Sequence, residues 1–169
     1  MKSKLKCLLG VICAAVFVLA LLGACAAPPT QQEPGSAADF TLYDREGSPV
    51  QFTSGGEPMV LNFWASWCPA CTRMMPALQA AYEQFGEEAS FIAVNLVGGR
   101  ETHERALAAT EGNGFTFPVL FDPHRDTFGA FGATHLPTTV FIDSDGAEIH
   151  RQVGTMTEST LIEQIERIR

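Results

Sequence analysis

The apolar positions of this chain fall into runs of two periods. Met59-Val60-Leu61-Asn62-Phe63-Trp64 and Ser90-Phe91-Ile92-Ala93-Val94-Asn95-Leu96 are short and nearly continuous, the pattern of strands covered on both faces. Between them Met74 to Phe85 carries apolar residues at helical spacing, which predicts a helix from Cys68 to about Phe85 with Pro76 as a kink point. Two such strands joined by a helix pair in parallel. Upstream, Phe40 to Tyr43, a turn at Asp44-Arg45-Glu46-Gly47 and Ser48 to Phe52 predict a β-hairpin. Downstream, Glu101 to Glu111 reads as a helix ending at Gly112-Asn113-Gly114. A short strand at Pro118 to Phe121 and a short helix from about His124 to Phe131 follow. Thr138 to Asp143, a turn at Ser144-Asp145-Gly146 and Ala147 to Val153 make a second hairpin. Thr157 to Arg169 closes the chain as a helix with Leu161, Ile162, Ile165 and Ile168 on one face. Hairpin, strand-helix-strand, helix, hairpin and helix together predict a mixed α/β sheet with helices on its faces.

The first residues follow neither period. Lys2, Lys4 and Lys6 precede an apolar run from Leu8 to Leu22 that closes on small residues, the make-up of a secretory signal peptide. A single membrane-spanning helix is the competing reading, but the run is short for it and Gly10 and Gly23 interrupt or end it. Leu22-Gly23-Ala24-Cys25 resembles a bacterial lipobox, which implies a diacylglyceryl group on Cys25 after cleavage. Two acyl chains suffice for stable anchoring. The expected organisation is therefore a lipoprotein signal peptide at 1–24, a lipidated Cys25 with a flexible tether at 25–38, and one domain at 39–169. The tether is small, polar and Pro-rich, a composition that cannot support a core. The domain should lie outside the cytoplasm, anchored to the bacterial cell membrane.

Charge narrows the partners. All three lysines lie before Cys25, so the remainder keeps 8 arginines against 19 acids, a net charge of −11. That balance argues against nucleic acid and against direct attraction to anionic headgroups.

Cysteine usage isolates the chemistry. Cys7 and Cys13 belong to the signal and Cys25 to the lipid, leaving Cys68 and Cys71 as the domain's thiols. They stand where a strand runs into a helix, in Trp64-Ala65-Ser66-Trp67-Cys68-Pro69-Ala70-Cys71. The first sulfur then meets the unpaired N–H groups of a helix N-terminus, which favour thiolate over thiol. Cys68 is the expected nucleophile, and Cys71, one turn on, is placed to attack a mixed disulfide on Cys68. Pro69 suits the first turn because it needs no N–H partner there. Structural zinc needs four ligands, and no second Cys pair or close His pair completes a set, so no metal and no cofactor beyond the redox pair is expected.

Phe63-Trp64-Ala65-Ser66-Trp67-Cys68-Pro69-Ala70-Cys71 and Leu136-Pro137-Thr138-Thr139-Val140-Phe141-Ile142-Asp143, in this order of elements, resemble the thioredoxin fold. More narrowly, the extra helix region at 101–114, Phe117-Pro118-Val119 and Gly154-Thr155-Met156-Thr157-Glu158 resemble the membrane-anchored ResA/TlpA-like thiol-disulfide oxidoreductases. The resemblance spans residues 39–169. It implies a thioredoxin-like domain with an N-terminal β-hairpin and an extra central helix. It also implies a cis peptide between Leu136 and Pro137, facing the cysteines and offering the Leu136 backbone to a bound peptide. Trp67, Pro69 and Ala70 then frame the reactive pair, with Trp67 touching substrate and Trp64 in the core. His135 reads as a loop residue rather than a base.

Two positions depart from the family. Thioredoxins carry a buried Asp where this chain has Asn62, and the ResA-like group often has an acid where this chain has Met74. Neither residue exchanges a proton.

The leading functional expectation is a monomeric reductant of disulfides in exported proteins, apocytochrome c among them, recharged by a membrane thiol electron-transfer protein. A thiol oxidase of folding proteins is the close alternative, since a very stable Cys68 thiolate makes the disulfide oxidising. A thiol peroxidase is weaker, because Ala65 stands where those enzymes have Thr or Ser three residues before the reactive Cys. A non-catalytic binding lipoprotein would leave both cysteines and Pro137 without a purpose.

Overall fold

The computed structural model describes residues 39–53 and 55–169. The signal, Cys25 and the tether lie outside the described residues. The elements are β1 (Phe40–Tyr43), β2 (Pro49–Phe52), β3 (Met59–Trp64), α1 (Pro69–Phe85), β4 (Ser90–Asn95), α2 (His103–Glu111), β5 (Val119–Phe121), α3 (Asp126–Ala130), β6 (Thr138–Ile142), β7 (Glu148–Val153) and α4 (Glu158–Ile168). One seven-stranded sheet runs β2-β1-β5-β4-β3-β6-β7. β3, β4 and β5 are parallel neighbours, while β1, β2, β6 and β7 pair antiparallel. This is the mixed sheet that the order of elements predicts, in the thioredoxin-like arrangement that the resemblance implies.

Both hairpins turn by the same local chemistry. The Asp44 carboxylate accepts the N–H groups of Glu46 and Ser48, and the Asp143 carboxylate accepts those of Asp145 and Ala147. Each turn ends in a glycine at φ 81°, Gly47 and Gly146, a conformation that side chains disfavour.

Alternation along β3 and β4 divides the core. Val60, Trp64, Phe91 and Ala93 face α1, α2 and α4, while Leu61, Phe63, Ile92 and Val94 face the side that carries α3. α4 closes the first layer with Leu161, Ile165 and Ile168, all fully buried, each contributing about 1.5–3 kcal/mol of transfer free energy. α1 stays helical through Pro76.

Two helix starts differ from the sequence expectation. Glu101 does not open α2. It pairs with Gly98 in an isolated bridge, and Thr102 caps the helix by accepting the Arg105 N–H at 3.3 Å. α3 begins at Asp126 rather than near His124, because the Asp122 carboxylate gathers the N–H groups of Asp126 and Phe128 at 3.0 and 2.8 Å.

Candidate active site

The site grows from the end of β3. After Trp64 the chain makes a tight turn, with the Cys68 N–H donating to the Ala65 carbonyl at 3.1 Å. Ser66 and Trp67 are its two corner residues. Cys68 is the N-cap of α1 in extended conformation (φ −91°, ψ 107°) and Pro69 occupies the first turn. The Cys71 N–H donates to Cys68 Sγ at 3.2 Å, so the sulfur receives one of the helix's unpaired N–H groups, as its place in the sequence requires. Cys68 and Cys71 form a disulfide with Cα atoms 5.2 Å apart. Cys68 is 6% exposed and Cys71 1%. That asymmetry leaves Cys68 as the sulfur nearer solvent.

The antiparallel register brings the second motif to the same place. Phe63 lies opposite Thr138, so the residues before Thr138 meet the chain as it leaves β3. The Leu136–Pro137 peptide is cis, as the resemblance implies, and the Gly154 N–H donates to the Pro137 carbonyl at 2.8 Å. Leu136 is half-buried and packs against the cluster that contains both cysteines. Trp67 is 40% exposed beside Cys68, whereas Trp64 is buried. The two tryptophans thus part company as the sequence reading expects. His135 lies exposed in its loop, its Nδ1 within 2.9 Å of the Thr134 hydroxyl.

Asn62 and Met74, the two positions that depart from the expected family pattern, meet each other here. Asn62 Nδ2 donates to the Thr139 hydroxyl at 2.9 Å and approaches Met74 Sδ at 4.0 Å, all of it buried. A buried carboxylate nevertheless stands near the turn. Glu101, 2% exposed, accepts the Ser66 N–H at 3.1 Å, the Ser66 hydroxyl at 2.8 Å and the Asn95 amide at 3.0 Å. Neighbouring Arg100 lays its guanidinium over the Trp67 ring, 4.3 Å from the centroid. Sequence reasoning misses both residues, since a polar segment before a helix looks like its first turn. The one available signal was the Gly98-Gly99 pair, which breaks a helix. Among the described residues no three His, Cys, Asp or Glu side chains converge as a metal site.

Such a pair can do one kind of chemistry well. Two sulfurs of unequal exposure, the outer one on a helix N-terminus, can exchange electrons with another disulfide through a mixed disulfide.

Comparison with known proteins agrees. Residues 34–149 match the AhpC/TSA family. The thiol-disulfide oxidoreductase ResA of Geobacillus thermodenitrificans is 35% identical over 135 residues, 79% of this chain and 76% of that protein. The crystal structure of StoA from Bacillus subtilis superposes with a TM-score of 0.67 at 26% identity, covering 78% of this chain and 98% of that one. An exposed lipoprotein thioredoxin from Streptococcus pneumoniae gives a TM-score of 0.67 at 25% identity over 77% of this chain and 99% of that one. With its Cys68–Cys71 disulfide on a thioredoxin-like sheet, the chain belongs to the AhpC/TSA family and, within it, to the thiol-disulfide oxidoreductases of the ResA type.

Proposed function

We propose that this oxidoreductase is a lipid-anchored reductant of disulfides in exported proteins, including apocytochrome c. The observation that carries the reading is Cys68 Sγ at the cap of α1, receiving the Cys71 N–H. In the reduced protein the Cys68 thiolate attacks one sulfur of the client disulfide, and the client's other sulfur leaves as thiolate and takes up a proton. Cys71, once deprotonated, attacks Cys68 Sγ. The client then departs with its second thiol, and two electrons have passed from the pair to the client. The product is the Cys68–Cys71 disulfide. A membrane thiol electron-transfer protein restores the dithiol, with no cofactor besides the two sulfurs. Trp67, Pro69, Ala70, Leu136 and Pro137 would bear on the client, whose extended segment would lie along the Leu136 backbone.

The direction rests on the resemblance to the ResA-like oxidoreductases, whose typical clients are apocytochromes; a very strongly stabilised Cys68 thiolate would make the pair an oxidant instead. The lipobox-like Leu22-Gly23-Ala24-Cys25 and the relative described as an exposed lipoprotein support the anchoring and the extracytoplasmic placement. The peroxidase reading has no support at Ala65, which is buried and has no hydroxyl.

The reduction potential of the pair is the test. The reading expects a value nearer thioredoxin's, about −270 mV, than DsbA's, about −120 mV. A potential at the oxidising end would replace the reductase by a thiol oxidase.

A further inference from the structure

We propose that the turn at Gly98–Glu101 positions the nucleophile, with Glu101 as the positioning residue for the turn that presents Cys68. The inference rests on the thiol-disulfide chemistry of the pair and not on its direction. The turn from Ala65 to Cys68 has two corners, and consecutive residues of one distant loop hold both. Glu101 takes the Ser66 corner from inside through the Ser66 N–H and hydroxyl. Arg100 takes the Trp67 corner from outside by stacking on its ring.

The loop is built for this reach. Gly98 and Glu101 exchange two backbone hydrogen bonds, at 3.0 and 3.1 Å, around Gly99 at φ 63°, where a side chain would be strained. Arg105 fastens the outer side by donating to the Arg100 carbonyl at 2.6 Å.

Glu101 is an expensive residue to bury. It makes no ion pair among the described residues, and an uncompensated buried charge is strongly unfavourable. What compensates it is a set of three bonds, from the Ser66 N–H, the Ser66 hydroxyl and the Asn95 amide. Two of the three come from Ser66, two residues before Cys68, and the third from Asn95 at the end of β4. The carboxylate therefore ties the turn to the sheet. A hydroxyl or an apolar side chain at 101 could not receive three donors.

The test reads Cys68 directly, through its alkylation rate by iodoacetamide in the reduced protein at one fixed pH. This assay is indifferent to clients and to whether the pair reduces or oxidises them. Glu101→Gln keeps an acceptor oxygen for the Ser66 N–H and Asn95, and Ser66 Oγ can accept from its amide. It should stay within about threefold of the parent, because the shape of the network is kept. Glu101→Ala and Glu101→Asp lose the reach to Ser66 and should slow alkylation by about tenfold, since a misplaced reacting atom loses rate steeply. If Glu101→Ala fails to fold, Ser66→Ala serves in its place, with a smaller loss that adds nothing in the Glu101→Asp background. A purely structural Glu101 would lower melting temperatures and leave the alkylation rate of the folded variants at the parent value. That result, or equal losses for Gln and Asp, would overturn the proposal.

Discussion

Met74→Glu tests how Cys71 loses its proton. Residue 74 lies three positions along α1 from Cys71, on the same face of the helix, and its side chain is buried. Asn62 Nδ2 uses one hydrogen on the Thr139 hydroxyl and directs its other hydrogen toward Met74 Sδ. A carboxylate at 74 therefore meets a donor already in place. Removing the methionine forfeits about 1.5–3 kcal/mol of apolar burial, and burying the polar group costs about 1–3 kcal/mol. The bond from Asn62 returns about 1.5–3 kcal/mol. The expected net loss is about 1–3 kcal/mol, a melting decrease of about 3–15 °C for a domain of this size. Burial pushes the new carboxyl up from its ordinary range, toward the neutral region where it exchanges protons with a thiol efficiently. We expect resolution of a mixed disulfide on Cys68 to accelerate by about tenfold at neutral pH, the low side of what a positioned base supplies. Stopped-flow mixing of the reduced variant with a small disulfide, followed by Trp67 fluorescence, measures the rate, and a thermal melt measures the cost. The full stability loss with an unchanged rate would refute the reasoning, and would mean that the Cys71 proton leaves by another route.

Four further outcomes are expected, three at the site and one at the anchor. Iodoacetamide at mildly acidic pH should label Cys68 and spare Cys71, which mass mapping reads out, because Cys68 alone combines the helix cap with the greater exposure. Cys71→Ala should accumulate mixed disulfides with clients on non-reducing gels, since the resolving sulfur is gone. Arg100→Ala should raise acrylamide quenching of fluorescence, and the increase reports Trp67 because Trp64 is buried in both proteins; unchanged quenching would show that the stack does not hold the ring. Cys25→Ser should release the protein from membranes or leave its signal uncleaved, and normal processing with unchanged membrane fractionation would remove the anchor from the proposal.

Much of the domain was legible along the chain because it depends on near neighbours. The continuous apolar run of β3, the helical spacing after Cys68 and the Asp-to-Gly turns of both hairpins each follow from a few consecutive residues. The strand-to-helix position of the cysteines already placed one sulfur at a helix cap, and Trp64 and Trp67 already differed in expected environment. What periodicity reports, however, is only which face a residue shares. It does not say what lies opposite that face. The bond from Asn62 to Thr139 spans 77 positions and the bonds from Ser66 to Glu101 span 35, and each exists because β6 and β4 flank β3 in the sheet. Glu101 read as the first residue of the helix expected at 101–111, where an acid belongs to the first turn. Only the packed sheet, by closing that segment over the end of β3, put its carboxylate within reach of three donors and made burial of the charge affordable.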